Sequence, residues 1–420
     1  VGFYVNRAKR SKDKLDVNVL VLTFNRTLRG YIKELAEKQL QDGDGINLSI
    51  STFTSWASGL LNNPPMIEND KFKSLISFLG RGIALPDEFI IDELNYILGK
   101  FPADSLDEYL TTRRDGRGAT PRMEKPLRES LLNEVVIPYL EYKNTEGLVD
   151  YHDLANLVAT QKIMDYDVVV VDETQDFSAN EIRAIMNQLS EEHTTTFVLD
   201  TTQRIYTRSS FTWQEVGVTI RPEYSHRLSI NYRNTKQIAS FAAGILDGIT
   251  PDTDGSMPNF ESAIGDGEFP IIIEGKFSSQ MNYIIQHIKN NIDLKTESVA
   301  FLHAKGGGWF RTVKEKLTYS GFKYALISRK SEWPDGDENI ALSTLHSAKG
   351  LEFDHVFILG LDHQVIPVNG DDEESLSRLR KLIAMGVGRA KKGIVIGYNS
   401  EDVPIVAKFF KKETCNWIKL

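Results

Sequence analysis

The residues best suited to chemistry in this chain stand at the ends of apolar runs. Val168-Val-Val-Val is followed at once by Asp172-Glu173-Thr174-Gln175-Asp176. Four apolar residues predict a buried strand, and α/β proteins gather ligands at the carboxyl ends of their strands. An Asp there can hold Mg²⁺ directly or through water and offset phosphate charge. An adjacent Glu can take the proton of a water that attacks a γ-phosphate. Read alone, the pair is equally a solvated acidic turn.

Four further segments have the same character. Phe197-Val-Leu-Asp200-Thr-Thr-Gln203-Arg-Ile-Tyr206 puts a Gln just past a second run, where it can orient a water or sense a γ-phosphate. Taken singly, Gln203 reads as an ordinary loop amide; Tyr206 offers a ring on which a base can stack. Asn231-Tyr232-Arg233 and Gly386-Val-Gly388-Arg389-Ala390-Lys391 each present an Arg at a helix or loop boundary. Such arginines can stabilise transition-state charge on a phosphoryl group, although most arginines are simply exposed. Ser343-Thr344-Leu345-His346-Ser347-Ala348-Lys349-Gly350-Leu351-Glu352-Phe353-Asp354 predicts a strand, a polar loop and a second strand. Gly350 would let backbone approach a phosphate or ribose.

The elements that must position these residues follow from hydrophobic patterning. Short apolar runs predict buried parallel strands at 17–24, 168–171, 196–199, 271–273, 298–302, 340–345, 355–359 and 394–398. Helical patterns at 29–39, 179–189, 235–246, 281–290 and 376–385 separate many of them. The alternation predicts an α/β fold with mainly parallel sheets. Residues 57–160 lack strong strand signals and read as a helical insertion between two strands; 250–268 reads as a surface loop. The partition is therefore one sheet domain over 1–224, with the insertion, and a second over 225–420.

Composition bounds the rest. At 420 residues, 41% hydrophobic and 25% charged, the chain can build more than one sizeable core. A formal charge of −9 is no argument for nucleic-acid binding and no bar to it, since a local basic groove matters more than the total. No apolar run approaches the length of a membrane span. The single Cys415 excludes an intramolecular disulfide framework and points to a reducing, cytoplasmic setting.

Taken together and in order, these segments resemble the motifs of superfamily-one helicases of the UvrD/Rep/PcrA type. DETQD is similar to the second motif (Walker B), LDTTQRIY to the third, NYR to the fourth, STLHSAKGLEF to the fifth and RKLIAMGVGRAKK to the sixth. Leu22-Thr23-Phe24-Asn25 and Ser51-Thr52-Phe53-Thr54-Ser55 resemble the two motifs that precede these in the family. The resemblance implies two RecA-like P-loop NTPase domains with ATP held between them. It implies a 3′→5′ helicase or single-strand translocase acting on single-stranded or partly duplex DNA.

By that resemblance Asp172 positions Mg²⁺ and Glu173 activates water. Gln203 couples the γ-phosphate to the nucleic acid, Arg233 and Arg389 reach the phosphates, and Glu352 meets the ribose beside Gly350. Thr23, Phe24, Asn25, Thr52, Phe53, Tyr206, Thr344 and His346 line the DNA track, with Phe211 or Trp213 standing in for an aromatic usual two places after the Tyr of the third motif. The sequence departs from the family in having no Gly-x-x-Gly-Lys-Thr loop. The apolar pattern of Val1–Lys9 reads as the helix after that loop, so a clipped chain with very poor ATP hydrolysis is expected. The chain between Arg233 and Ile340 is too short for the family's second accessory domain. An ATPase-deficient adaptor on nucleic acid and an RNA-directed helicase are the alternatives. Arg113, Arg114, Arg117, Arg122, Lys125 and Arg128 form a basic cluster in the insertion, read either as phosphate contacts or as a solvated loop.

Overall fold

The computed structural model describes residues 16–23, 45–114, 122–199, 211–226, 231–249, 263–327, 338–362 and 373–420. The chain divides into two compact units, with the described residues up to 225 in the first and those from 226 onward in the second.

The first unit is built on four parallel strands, β1 (Val17–Thr23), β2 (Ile46–Thr52), β3 (Tyr166–Val171) and β4 (Leu189–Phe197), in the order β2-β1-β3-β4. The central strands β1 and β3 carry the Val/Leu runs, as strands covered on both faces must. Their side chains meet Phe53, Trp56, Leu154, Phe177, Ile182 and Ile185 in one core. The β4 strand begins earlier than its apolar end suggested, because Leu189–Thr196 is an edge segment whose polar side chains stay exposed.

Between β2 and β3 the chain is helical: Phe53–Leu60, Asn69–Leu79, Asp87–Lys100, Lys125–Leu131, Ile137–Glu146 and Tyr151–Thr160, with a π-helical turn at Leu132–Val136. Much of this segment packs around its own core of Ile76, Ile90, Leu94, Tyr96, Ile97, Tyr109, Val135 and Tyr139. The basic cluster expected there is in part internal. Arg114 is buried and grips both carboxylate oxygens of the fully buried Glu93 at 2.7 Å, while the Tyr109 hydroxyl donates to the same carboxylate at 2.8 Å. Arg128 donates to the backbone carbonyls of Met123, Tyr109 and Thr112 at 2.8–3.0 Å. These two guanidiniums hold the insertion together and are not offered to phosphates; Arg122 and Lys125 remain exposed, and Arg117 lies outside the described residues.

The second unit has a seven-stranded parallel sheet: β7 (Ile271–Glu274), β8 (Val299–His303), β9 (Ala325–Ile327), β10 (Ile340–Thr344), β11 (Phe353–Leu361), β12 (Ala390–Tyr398) and β13 (Asn416–Lys419). Its order is β13-β7-β12-β11-β8-β10-β9. Helices Lys236–Leu246 and Glu373–Val387 belong to one core and Phe277–Asn291 and Gly308–Tyr319 to another, so the sheet is covered on both faces. A separate parallel ribbon joins β5 (Asn231–Thr235) to β6 (Ala263–Gly265). The end of the expected 250–268 loop is thus paired strand; 250–262 lies outside the described residues. No helix of the described residues is long and apolar enough to cross a membrane.

Candidate functional site

In the first unit the acids emerge where the fold puts strand ends. The β3 strand stops at Val171, and Asp172 N donates to Leu22 O at 2.9 Å, tying the acid loop to the end of β1. Thr174 is buried, its hydroxyl on Val171 O at 2.9 Å and its N–H on Val198 O at 2.9 Å. Glu173 lies between these anchors at φ 53°, ψ 41°, left-handed backbone that a residue with a Cβ adopts at a cost of about 1–2 kcal/mol. The Gln175 amide donates to the Glu173 carboxylate. Ser178 then starts the helix Ala179–Asn187 through a reciprocal cap with Glu181, which fixes the exit from the loop. Gln175 was not singled out in the sequence, because its role appears only once the turn brings it back onto Glu173.

The residues expected on the DNA side of this unit divide. Thr23 is fully buried at the end of β1. The Thr52 hydroxyl accepts from Ser55 N at 3.4 Å and caps the helix Phe53–Leu60. Phe53 is 5% exposed, with Trp56 edge-on at 5.5 Å and Phe177 at 6.3 Å. Core rings flank it on both sides. Trp213 packs on Phe197 at 4.9 Å and on Phe211 at 5.9 Å, so both candidate stand-ins lean on the core as well. Phe24, Asn25, Gln203 and Tyr206 lie outside the described residues.

In the second unit, three segments far apart in sequence converge. Arg233 on β5 donates through Nε to Glu352 Oε1 at 2.5 Å, and Lys391 on β12 reaches Glu352 Oε2 at 3.1 Å. Burial works against ionisation of Glu352, but the Arg233 guanidinium and Lys391 ammonium outweigh it and hold the carboxyl below the usual carboxylate range. Phe353 N donates to Arg389 O at 2.9 Å, and the Asn234 amide donates to Gly388 O and Ala390 O. Arg389 itself is 2% exposed, its Nε on Met385 O at 3.3 Å, in contrast to the exposed or salt-bridged arginine that its type suggests. Gly350 sits at φ +83°, which explains a glycine in the turn before β11.

Thr344 ends β10 beside His303 of β8 and caps the next turn, accepting from Ser347 N at 3.1 Å while its hydroxyl meets Ser347 Oγ at 2.9 Å. His346 is half-buried in that turn. Lys391 is the charged partner that sequence reasoning missed; it was quoted within the sixth segment but given no role.

Residues 323–401 match the UvrD-like helicase C-terminal domain. This segment contains Thr344, His346, Gly350, Glu352 and Arg389. ATP-dependent DNA helicase PcrA of Leuconostoc citreum is 39% identical over 74 residues, 17% of this chain and 10% of that protein. ATP-dependent DNA helicase Rep of Buchnera aphidicola subsp. Baizongia pistaciae is 38% identical over 64 residues, 15% of this chain and 10% of its own. DNA helicase II of Haemophilus influenzae is 43% identical over 61 residues, 14% and 8%. Among solved structures, the C-terminal domain of a possible DNA helicase from Lactobacillus plantarum WCFS1 overlaps 44% of this chain and 98% of its own. Its identity is 17% and its TM-score 0.33, too low to speak for the fold. Residues 323–401 thus match the UvrD-like helicase C-terminal domain and are similar to UvrD/Rep/PcrA-type helicases, and the matches span about a tenth of the length of those relatives.

Mg²⁺ that accompanies a nucleotide takes one or two carboxylates and fills its remaining positions with phosphate oxygens and water. Asp172 at a strand end suits that demand. Among the described residues no group of three or more His, Cys, Asp or Glu is gathered as a dedicated metal cage.

Proposed function

We propose that this chain is the motor part of an ATP-driven DNA helicase or single-strand DNA translocase, working 3′→5′ in a cytoplasmic setting. The observation that supports it best is the meeting of Arg233, Glu352 and Lys391 at one point, with two of the three inside the UvrD-like domain. Arg233 lies 119 positions from Glu352, yet it joins the pair of Glu352 and Lys391 that neighbouring strands β11 and β12 bring together.

In this reading Asp172 holds Mg²⁺, which would neutralise phosphate charge. Glu173 accepts the proton of the attacking water, and the Gln175 amide keeps its carboxylate from rotating away. Gln203 couples the γ-phosphate to the nucleic acid. Glu352 accepts from the ribose hydroxyls beside Gly350, and Lys391 keeps it charged while it does so. Arg233 exchanges Glu352 for a phosphate oxygen, and Arg389 supplies the second guanidinium. Those exchanges differ between nucleotide-bound and nucleotide-free states, which is what lets hydrolysis drive a conformational cycle. Thr344 and His346, with Phe24, Asn25 and Tyr206, contact the strand without reading its sequence.

The test is DNA-stimulated ATP hydrolysis by the full-length protein that contains this chain, compared with Glu173→Gln. The amide keeps the shape and cannot take a proton, so kcat should fall about 10²-fold or more with binding of single-stranded DNA retained. Retained turnover would remove Glu173 from the role. Binding without any hydrolysis in the parent would point to an adaptor, and tighter binding of a matched RNA strand at the same salt would point to an RNA track.

A further inference from the structure

The carbonyls that surround Arg389 sit where the helix Glu373–Val387 has ended and β12 is starting, so helix geometry supplies no donor for them. Arg389 O is taken by Phe353 N at 2.9 Å. The carbonyls on either side, Gly388 O and Ala390 O, are both taken by one atom: Asn234 Nδ2, at 3.2 Å and 2.6 Å. Asn234 is itself held from behind, its Oδ1 accepting from Asn231 Nδ2 at 3.1 Å and its N–H donating to Asn231 Oδ1 at 3.1 Å. Its neighbour Arg233 is the residue that pairs with Glu352.

We propose that Asn234 is a positioning residue for hydrolysis: its amide clamps the backbone on both sides of Arg389 and so fixes where that guanidinium stands. This rests on the reading of Arg389 as a phosphate-facing arginine. The residue type is what the geometry needs. A primary amide carries two N–H donors on one nitrogen, one for each carbonyl. Serine has one donor, and aspartate has the same shape with no donor and a charge that repels both oxygens. A group that stabilises a transition state must already be in place, and a displacement of about 1 Å can cost about 10²-fold in rate.

The experiment is a double-mutant cycle in the full-length protein, reading kcat and KM for ATP with saturating single-stranded DNA. Asn234→Asp should lower kcat by about 10-fold or more and leave KM within about twofold, with Asn234→Ser falling between it and the parent. In an Arg389→Ala background, Asn234→Asp should lower kcat no further, because the residue through which it acts is gone. A merely structural role would give multiplying losses in the two backgrounds, or a loss carried by KM, and either result overturns the proposal. Should Asn234→Asp fail to fold, the same cycle with Asn234→Ser decides. A parent that does not hydrolyse ATP, or an Arg389→Ala variant with unchanged kcat, defeats the functional reading and this inference with it. A multiplicative cycle in a parent that needs Arg389 defeats this inference alone.

Discussion

Replacing Arg114 by Ala should cost the helical insertion far more than an ordinary arginine substitution. Glu93 is 0% exposed, and Arg114 meets both of its oxygens at 2.7 Å from a side chain that is itself 7% exposed. Without the guanidinium a carboxylate is left in the core beside the Tyr109 hydroxyl, whose own ionisation is pushed up by burial and by Glu93. Breaking a buried pair from one side costs about 3–5 kcal/mol, a large part of the roughly 5–15 kcal/mol that stabilises a typical domain. Burial with no cation beside it disfavours the charged form, so in the variant the folded pKa of Glu93 rises and the group can escape by taking up a proton. A carboxylate with a raised folded pKa makes stability fall as pH climbs from the unfolded value, about 4.3, through the raised one. The deficit should therefore be full at pH 8 and smaller at pH 5. Hydrogen exchange followed by mass spectrometry on peptides of 87–100 and 131–139 reads the local opening free energy without interference from the second unit. Glu93→Leu combined with Arg114→Met should recover most of the loss, since an apolar pair of similar volume replaces a buried ion pair at little cost. A loss below about 1 kcal/mol, or one that does not change between pH 5 and 8, would refute the argument that this charge depends on its partner.

Two further outcomes are expected. Phe53→Ala should destabilise the first unit by about 3–5 kcal/mol, read by urea unfolding, with affinity for single-stranded DNA in the remaining folded protein unchanged if its part is packing alone; a selective loss of affinity would show the stacking role. The Glu352 carboxyl should titrate below an ordinary glutamate in a carboxyl carbon-13 NMR titration, and Lys391→Ala should move it upward. Because its folded pKa is depressed, the contribution of this pair is present above the unfolded pKa and fades as pH falls through the lower folded value. An unshifted titration would show that the two cations do not act on Glu352 in solution.

Much of the sheet architecture was legible because buried parallel strands need apolar side chains on both faces. The runs at Val17–Thr23, Tyr166–Val171, Val299–His303 and Ile340–Thr344 show this. The strands Ile46–Thr52, Ala325–Ile327 and Asn416–Lys419 escaped notice because all three are sheet edges with polar or short sequences. The helix Gly308–Tyr319 was hidden behind Gly306 and Gly307, both at positive φ, where no side chain marks a cap. For the site, the acids at 172 and 173 were visible because an abrupt change from Val to Asp marks a strand end. The packing of Phe53 against Trp56 and Phe177 was not legible, because an aromatic beside a threonine looks the same whether it faces a base or a core. The Arg114–Glu93 and Asn234–Ala390 contacts join residues 21 and 156 positions apart, and no local spacing announces them.

The backbone at Glu173 places two demands on one position. Glycine or asparagine would sit at φ 53° with less strain, yet neither offers a carboxylate. Selection for heat tolerance alone would favour glycine or asparagine over the acid in this turn.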